Sequence, residues 1–228
     1  MSRARPASVA RPALPISPTL KRLGAAIREM ELPAIEKIAE EHEADPFRVL
    51  VSTMLSAQTR DPVTHAASLR LFAVAPDPAS LARLTTGRIE KLIYPVSFYR
   101  NKAVHVKETA AILVCDHGGR VPTTMEALLT LPGVGRKTAN LTLIVACRSQ
   151  DNICVDTHVH RIANRFGWVR TRTPEQTEHA LYEVVARRWW ASINLYLVTW
   201  GQHVCKPVYP QCRRCILDST CPKIGVAS

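Results

Sequence analysis

The 228-residue sequence has little that would suit a membrane protein, a secreted scaffold or a β-sheet fold. No apolar run approaches the roughly 20 residues that span a bilayer, and no signal-peptide core follows the start. Glycine is scarce, with nine residues in all. No segment alternates polar and apolar residues with period two, and no internal repeat is evident. With 46% hydrophobic residues, these absences leave a mainly helical protein with a real core, and the expected class is all-α. Acidic residues are in deficit too. Residues 1–45 balance at seven basic and seven acidic side chains, while residues 46–228 carry 23 and 12, the whole net charge of +11. A basic body implies a polyanionic partner, most simply nucleic acid; the blander alternative is charge kept for solubility.

The seven cysteines, without a secretory signal, point to a reduced compartment and so to thiols or metal ligands. Cys115, Cys147 and Cys154 sit in apolar contexts and read as small core residues. The other four, Cys205, Cys212, Cys215 and Cys221, are separated by six, two and five residues. Such a loop can enclose one metal centre, and four thiolates suit either zinc or an iron–sulfur cluster. Lys206 and Arg213 lie inside it and could also touch phosphates.

Residues 1–18, with four prolines and three arginines, read as a disordered basic tail. Helical periodicity then predicts helices from Thr19, from Pro46, and from Asp61 as an N-cap with Pro62 behind it. Further helices are expected at about 79–84, 88–93 and 101–115. Between two of these helices lies Ser56–Asp61, whose Gln58 is either a solvated loop residue or a DNA contact. Ser97–Lys102 sets Phe98 and Tyr99 beside basic residues, where aromatics can wedge between bases or simply fill a core.

Leu-Pro-Gly-Val-Gly-Arg-Lys, residues 131–137, is the stretch around which the chain is organised. Gly133 and Gly135 permit positive φ and leave backbone N–H groups uncovered, and Arg136 follows. A turn of this kind opening a helix is an anion site suited to a DNA phosphate. Lys137 falls in the first helical turn, where the dipole disfavours a second positive charge, so a nucleophilic role is open to it. Downstream, Asp156 is expected to N-cap a helix carrying Val159, Ile162 and Phe166 on one face. His158 and His160, two apart, do not share a face, which argues against a joint metal site.

Four motifs then stand in a recognisable order: Leu-Ser-Ala-Gln (55–58), Leu-Pro-Gly-Val-Gly-Arg-Lys-Thr-Ala-Asn (131–140), Val-Asp-Thr-His-Val (155–159) and the four-cysteine loop. Together they resemble the endonuclease III family of helix-hairpin-helix DNA glycosylases, over roughly Thr19 to Cys221. The resemblance implies a two-domain fold with a DNA cleft between the domains. A six-helix domain would span residues 39–150, and an iron–sulfur cluster domain would take 19–38 with 151–228. It implies a bifunctional glycosylase and β-lyase acting on oxidised pyrimidines in double-stranded DNA, as a monomer in a bacterial cytoplasm. Lys137 matches the family's Schiff-base lysine, Asp156 its catalytic aspartate, and the four cysteines its 4Fe-4S ligands. Gln58 matches the residue that fills the gap left by an extruded base. Gly133, Gly135, Arg136, His158, Lys206 and Arg213 are the further candidate DNA contacts. Phe98 stands where many bacterial members carry a leucine wedge, a departure that bears on lesion and opposite-base preference.

Attack by Lys137 needs a neutral amine. The helix dipole contributes only about 0.3–1 kcal/mol at an exposed site, so neighbouring cations such as Arg136 and desolvation must supply the rest. Two alternatives remain: an adenine-mismatch glycosylase, which typically lacks the lysine and carries an additional C-terminal domain, and a non-catalytic DNA-binding or redox-sensing protein.

Overall fold

A computed structural model of the chain describes residues 13–226. Among the described residues there are twelve α-helices, three short 3-10 turns and no strand. None of these helices is long and apolar enough to cross a membrane. The chain divides into two compact units: residues 31–154, and a discontinuous unit of the residues up to Met30 together with those from Val155 onward.

The continuous unit holds eight helical segments: α2 (Ala34–Glu41), α3 (Pro46–Ser56), α4 (Asp61–Val74), α5 (Pro78–Arg83), α6 (Thr86–Ile93), α7 (Tyr99–Asp116), α8 (Met125–Leu129) and α9 (Arg136–Val145). Its core joins Leu50, Leu55, Leu71, Ile93, Val106 and Leu113, all fully buried. Residues 31–38, expected with the other unit, pack here. Ile38 joins this core, and Ile35 and Ala39 pack with Val49, Leu141 and Cys154. Prolines at the second or first helical position open α3, α4 and α5, where a missing N–H costs nothing. Asp45, Asp77, Thr85 and Thr124 cap α3, α5, α6 and α8 with their side chains. Asp61 differs from expectation. It lies inside the first turn of α4, whose N-cap is Arg60, and its Oδ2 instead accepts the Ala34 N–H of α2 at 2.8 Å. The carboxylate thus satisfies a free donor on a neighbouring helix end.

The discontinuous unit contains α1 (Ile16–Ala26), α10 (Thr157–Arg165), α11 (Pro174–Val184) and α12 (Trp190–His203). α12 packs on α10 and α1 through a face that buries Ile193, Leu197 and Trp200. Part of the expected tail is structured. Leu14 is buried, its N–H donates to Phe166 O, and its carbonyl accepts Trp168 Nε1, both at 3.0 Å. α1 then starts at Ile16, with Pro18 accommodated in its first turn. Residues 1–12, the rest of that tail, lie outside the described residues. Of the three cysteines read as core, Cys154 is buried and Cys147 packs half-buried against the main core, but Cys115 is exposed near the end of α7.

Candidate active site and DNA interface

In the continuous unit the glycine turn joins α8 to α9 and forms the helical hairpin. Leu128, Leu131, Val134 and Ala139 sink into the core and hold the turn from beneath. The Val134 N–H donates to Leu131 O at 3.1 Å, closing the turn, and Thr109 Oγ1 of α7 donates to Pro132 O at 3.0 Å. Gly133 takes φ +74°, and a Cβ there would stand 2.8 Å from His105 Nδ1. Conformation and neighbour both demand glycine at this point. Gly135 does not use positive φ. It is the extended N-cap of α9 at φ −98°, and a Cβ on it would meet open space. The exposed glycines leave the end of α9 accessible, and first-turn N–H groups there lack intrahelical partners by construction. Arg136 and Lys137 are the first two helical residues, Arg136 exposed and Lys137 half-buried.

Two other loops of this unit present the remaining candidates. Gln58 is exposed with φ +54°, directly beyond the C-terminal end of α3. Phe98 is the N-cap of α7, left-handed at φ +55° and 63% exposed. The core alternative therefore fails for Phe98 and holds for Tyr99, which packs against the main core and meets Tyr94 edge to face at 5.4 Å. A left-handed non-glycine residue costs about 1–2 kcal/mol, and neither Gln58 nor Phe98 recovers that by burying its side chain.

Sequence reasoning missed Lys102, on α7. It is 9% exposed and donates to Leu55 O at 2.7 Å, Ala57 O at 2.5 Å and Thr59 Oγ1 at 3.2 Å. Burial pushes its pKa down to about 8, and the charge of Lys137 acts in the same direction. A signal did exist: Lys102, Val106, Thr109 and Leu113 follow the buried stripe of α7, so this lysine stands at a core position.

In the discontinuous unit Asp156 caps α10 as expected. Its Oδ1 accepts the N–H groups of His158 and Val159 at 2.8 and 2.9 Å. The two histidines diverge, as the spacing requires. His158 Nδ1 lies 3.1 Å from Arg161 Nη2, whereas His160 Nδ1 lies 2.6 Å from Thr177 Oγ1.

Cys205, Cys212, Cys215 and Cys221 line one pocket together with Arg165, Phe166 and Val204. None is in a disulfide. Arg165 Nη1 donates to Cys205 Sγ and the Leu217 N–H to Cys215 Sγ, both at 3.4 Å. Arg165 also donates to Lys206 O at 2.7 Å and Pro207 O at 2.8 Å, and Arg161 Nη2 to Cys205 O at 2.9 Å. Burial raises the thiols of Cys215 and Cys221 and lowers the guanidinium of Arg161. Among the described residues no three His, Cys, Asp or Glu side chains converge on a single-ion site. Sulfurs around one tetrahedral zinc would stand roughly 3.8 Å apart, from a Zn–S distance of about 2.3 Å. Sulfur-directed donors of the kind seen here occur around thiolate ligands of either zinc or an iron–sulfur cluster. Lys206 is half-buried and Arg213 exposed on this loop.

A family model described as HhH-GPD superfamily base excision DNA repair protein matches residues 51–187. Endonuclease III of Thermotoga maritima is 46% identical over 196 residues, covering 86% of this chain and 92% of that protein. Endonuclease III-like protein 1 of Gallus gallus is also 46% identical, over 178 residues, but the chain spans 63% of its length. The solved structure of a non-covalent endonuclease III–DNA complex superposes with a TM-score of 0.81 at 30% identity, over 90% of this chain and 93% of that one. A glycine-bounded hairpin presenting a lysine, a capping aspartate and a four-cysteine pocket thus occur in a chain that belongs to the endonuclease III family of the HhH-GPD superfamily of base excision DNA repair proteins.

Proposed function

We propose that the protein is a bifunctional DNA glycosylase and AP lyase that removes oxidised pyrimidines of the thymine glycol kind from double-stranded DNA, acting as a monomer. The observation that carries this reading is the position of Lys137, half-buried in the first turn of α9 behind a turn whose Gly133 and Gly135 are exposed. The target base must leave the stack before C1′ can be reached. Gln58 and Phe98, exposed on stiff loop tips, are suited to enter the gap and the neighbouring step. Lys137 Nζ then attacks C1′ and the bond to the base breaks, the base departing with a proton. The N-glycoside so formed opens by cleavage of C1′–O4′, with O4′ taking up a proton, and the resulting iminium acidifies C2′. Loss of the C2′ proton expels the 3′ phosphate by β-elimination and cleaves the strand. Asp156, a carboxylate fixed by two backbone N–H donors, assists removal of the lysine proton and opposes positive charge developing at C1′.

Cys205, Cys212, Cys215 and Cys221 would hold a 4Fe-4S cluster, which supplies a rigid cross-link of the loop rather than a step of the reaction. The four-thiolate donor set, the donors aimed at Cys205 and Cys215, and membership of the endonuclease III family support this choice. The loop so held presents Arg213 to solvent, and together with Gly133, Gly135, Arg136, His158 and Lys206 it supplies contacts to the DNA backbone.

Borohydride trapping on a thymine glycol duplex tests the reading. The expected result is a covalent protein–DNA adduct that disappears in Lys137→Ala. Absence of any adduct on damaged or abasic duplexes would overturn it in favour of a non-catalytic DNA-binding protein. Anaerobic purification should give a brown protein with about four irons per chain; a colourless protein carrying one zinc would overturn the cluster assignment.

A further inference from the structure

Gln58 and Phe98 share three properties: each is exposed, each is non-glycine, and each is left-handed, at φ +54° and +55°. Residues in that conformation persist only where their surroundings fix the backbone. Here both loops are tied to the same ammonium, the first directly and the second through a hydroxyl. The Lys102 ammonium spends its three donors on Leu55 O, Ala57 O and Thr59 Oγ1, so it grips the chain on either side of Gln58. Thr59 Oγ1 in turn accepts the Ser97 N–H at 3.2 Å, which reaches the residue immediately before Phe98. One ammonium and one hydroxyl therefore connect the two loop tips. Packing alone would not call for a lysine at this buried position; three converging acceptors do.

We infer that Lys102, acting with Thr59, is a positioning residue that fixes the spacing between Gln58 and Phe98 so that the two side chains enter the duplex as a unit around the extruded nucleotide. The inference rests on the glycosylase reading given above. Lys102 touches neither substrate nor reacting atoms in this scheme; it acts through the two tips.

The test is a double-mutant cycle on single-turnover excision of thymine glycol, with thermal melting in parallel. Lys102→Met should slow excision by about 10²-fold, the scale of a misplaced recognition group. Thr59→Val, which removes one acceptor at a half-buried site, should slow it in the same direction by less. In a Gln58→Ala/Phe98→Ala background, where nothing is left to position, Lys102→Met should cost no more than a few-fold. A general loss of packing would cost the same factor in both backgrounds, and that result overturns the inference. So does an unchanged rate in both Lys102→Met and Thr59→Val. If Lys102→Met fails to melt cooperatively, the Thr59→Val cycle decides by the same criterion. Wild-type trapping that is lost in Lys137→Ala separates failure of this inference from failure of the glycosylase reading.

Discussion

Replacing Gly133 by alanine should damage the hairpin, whereas the same change at Gly135 should leave it intact. At Gly133 the φ of +74° imposes the left-handed penalty, about 1–2 kcal/mol. The added Cβ would also stand 2.8 Å from His105 Nδ1 and 2.9 Å from its Cβ, too close to the root of that side chain for rotation of its tip to relieve. Relieving that contact takes a small backbone shift, which adds about 1 kcal/mol, the low end of the cost of overpacking. The expected total is about 2–3 kcal/mol, or roughly 4–12 °C in Tm for a chain of this size. At Gly135, φ is −98° and the Cβ meets nothing within 4 Å. Loss of a favoured N-cap residue and the gain from a stiffer unfolded chain oppose each other there, leaving a net change within about 0.5 kcal/mol. The assay is thermal melting paired with DNA affinity across a salt series. Gly135→Ala should keep the Tm yet bind more weakly, because its new methyl group projects into the open space where a phosphate must approach. A His105→Ala background should relieve only the part of the clash made by the imidazole ring, because the 2.9 Å contact with the His105 Cβ remains. Equal Tm losses at the two glycines, or none at Gly133, would refute the reasoning.

Asp156→Asn retains an oxygen that can accept the His158 and Val159 N–H groups, so its Tm should fall by only a few tenths of a kcal/mol equivalent. Excision should nevertheless collapse, since the carboxylate charge is gone; Asp156→Ala should lose about 1 kcal/mol of stability as well. Glu36, in the first turn of α2, has its pKa raised to about 7, first by burial and then by Glu40. A raised carboxyl favours the folded state only while protonated, so this contribution is fully present below the ordinary carboxyl value of 4.5 and is lost as pH climbs through about 7. Glu36→Gln should therefore raise Tm at pH 8 and leave it nearly unchanged at pH 4; the reverse order would contradict the burial argument. Phe98→Ala should reduce excision with little change in Tm, because a side chain 63% exposed contributes little to the core.

The local features were legible because they depend on neighbours in sequence. The periodicity around Val159 and Ile162 located α10 and made Asp156 its cap, and Pro-Gly-Val-Gly located the turn that puts Lys137 in a first helical turn. What escaped were side chains serving a distant element. Asp61 looked like the cap of its own helix, yet its carboxylate serves Ala34, 27 residues earlier. Nothing in a helical period encodes such a partner. Ile35 and Ile38 pack in the 31–154 unit, a placement that periodicity does not carry for the same reason: an amphipathic stripe shows that a face is buried, not against which core. Phe98 was ambiguous because an aromatic at a helix start satisfies both a core and a surface reading. The left-handed turn that throws it outward is a property of the whole 94–99 loop.

The ties running to α7 explain why its buried face departs from a purely apolar stripe. The glycine turn, the Gln58 loop and the Phe98 loop each lie outside regular helix, and a segment with the proposed role of meeting a duplex cannot anchor its own tip by burying it. Its rigidity has to come from polar groups reaching out of the core. α7 supplies them: Lys102 to the backbone around Gln58, through Thr59 toward Phe98, and Thr109 to Pro132 O in the hairpin. His105, on the same face, fills the space that only a glycine at 133 leaves free. Thr109 is fully buried and Lys102 nearly so, and each would cost stability if its acceptors were absent. Because those acceptors belong to the loops, the loops must hold their places for the helix to be satisfied, and the helix holds them there in return. Three surface segments are thereby referenced to one helix, the condition that the proposed base extrusion and attack by Lys137 would need to occur in register.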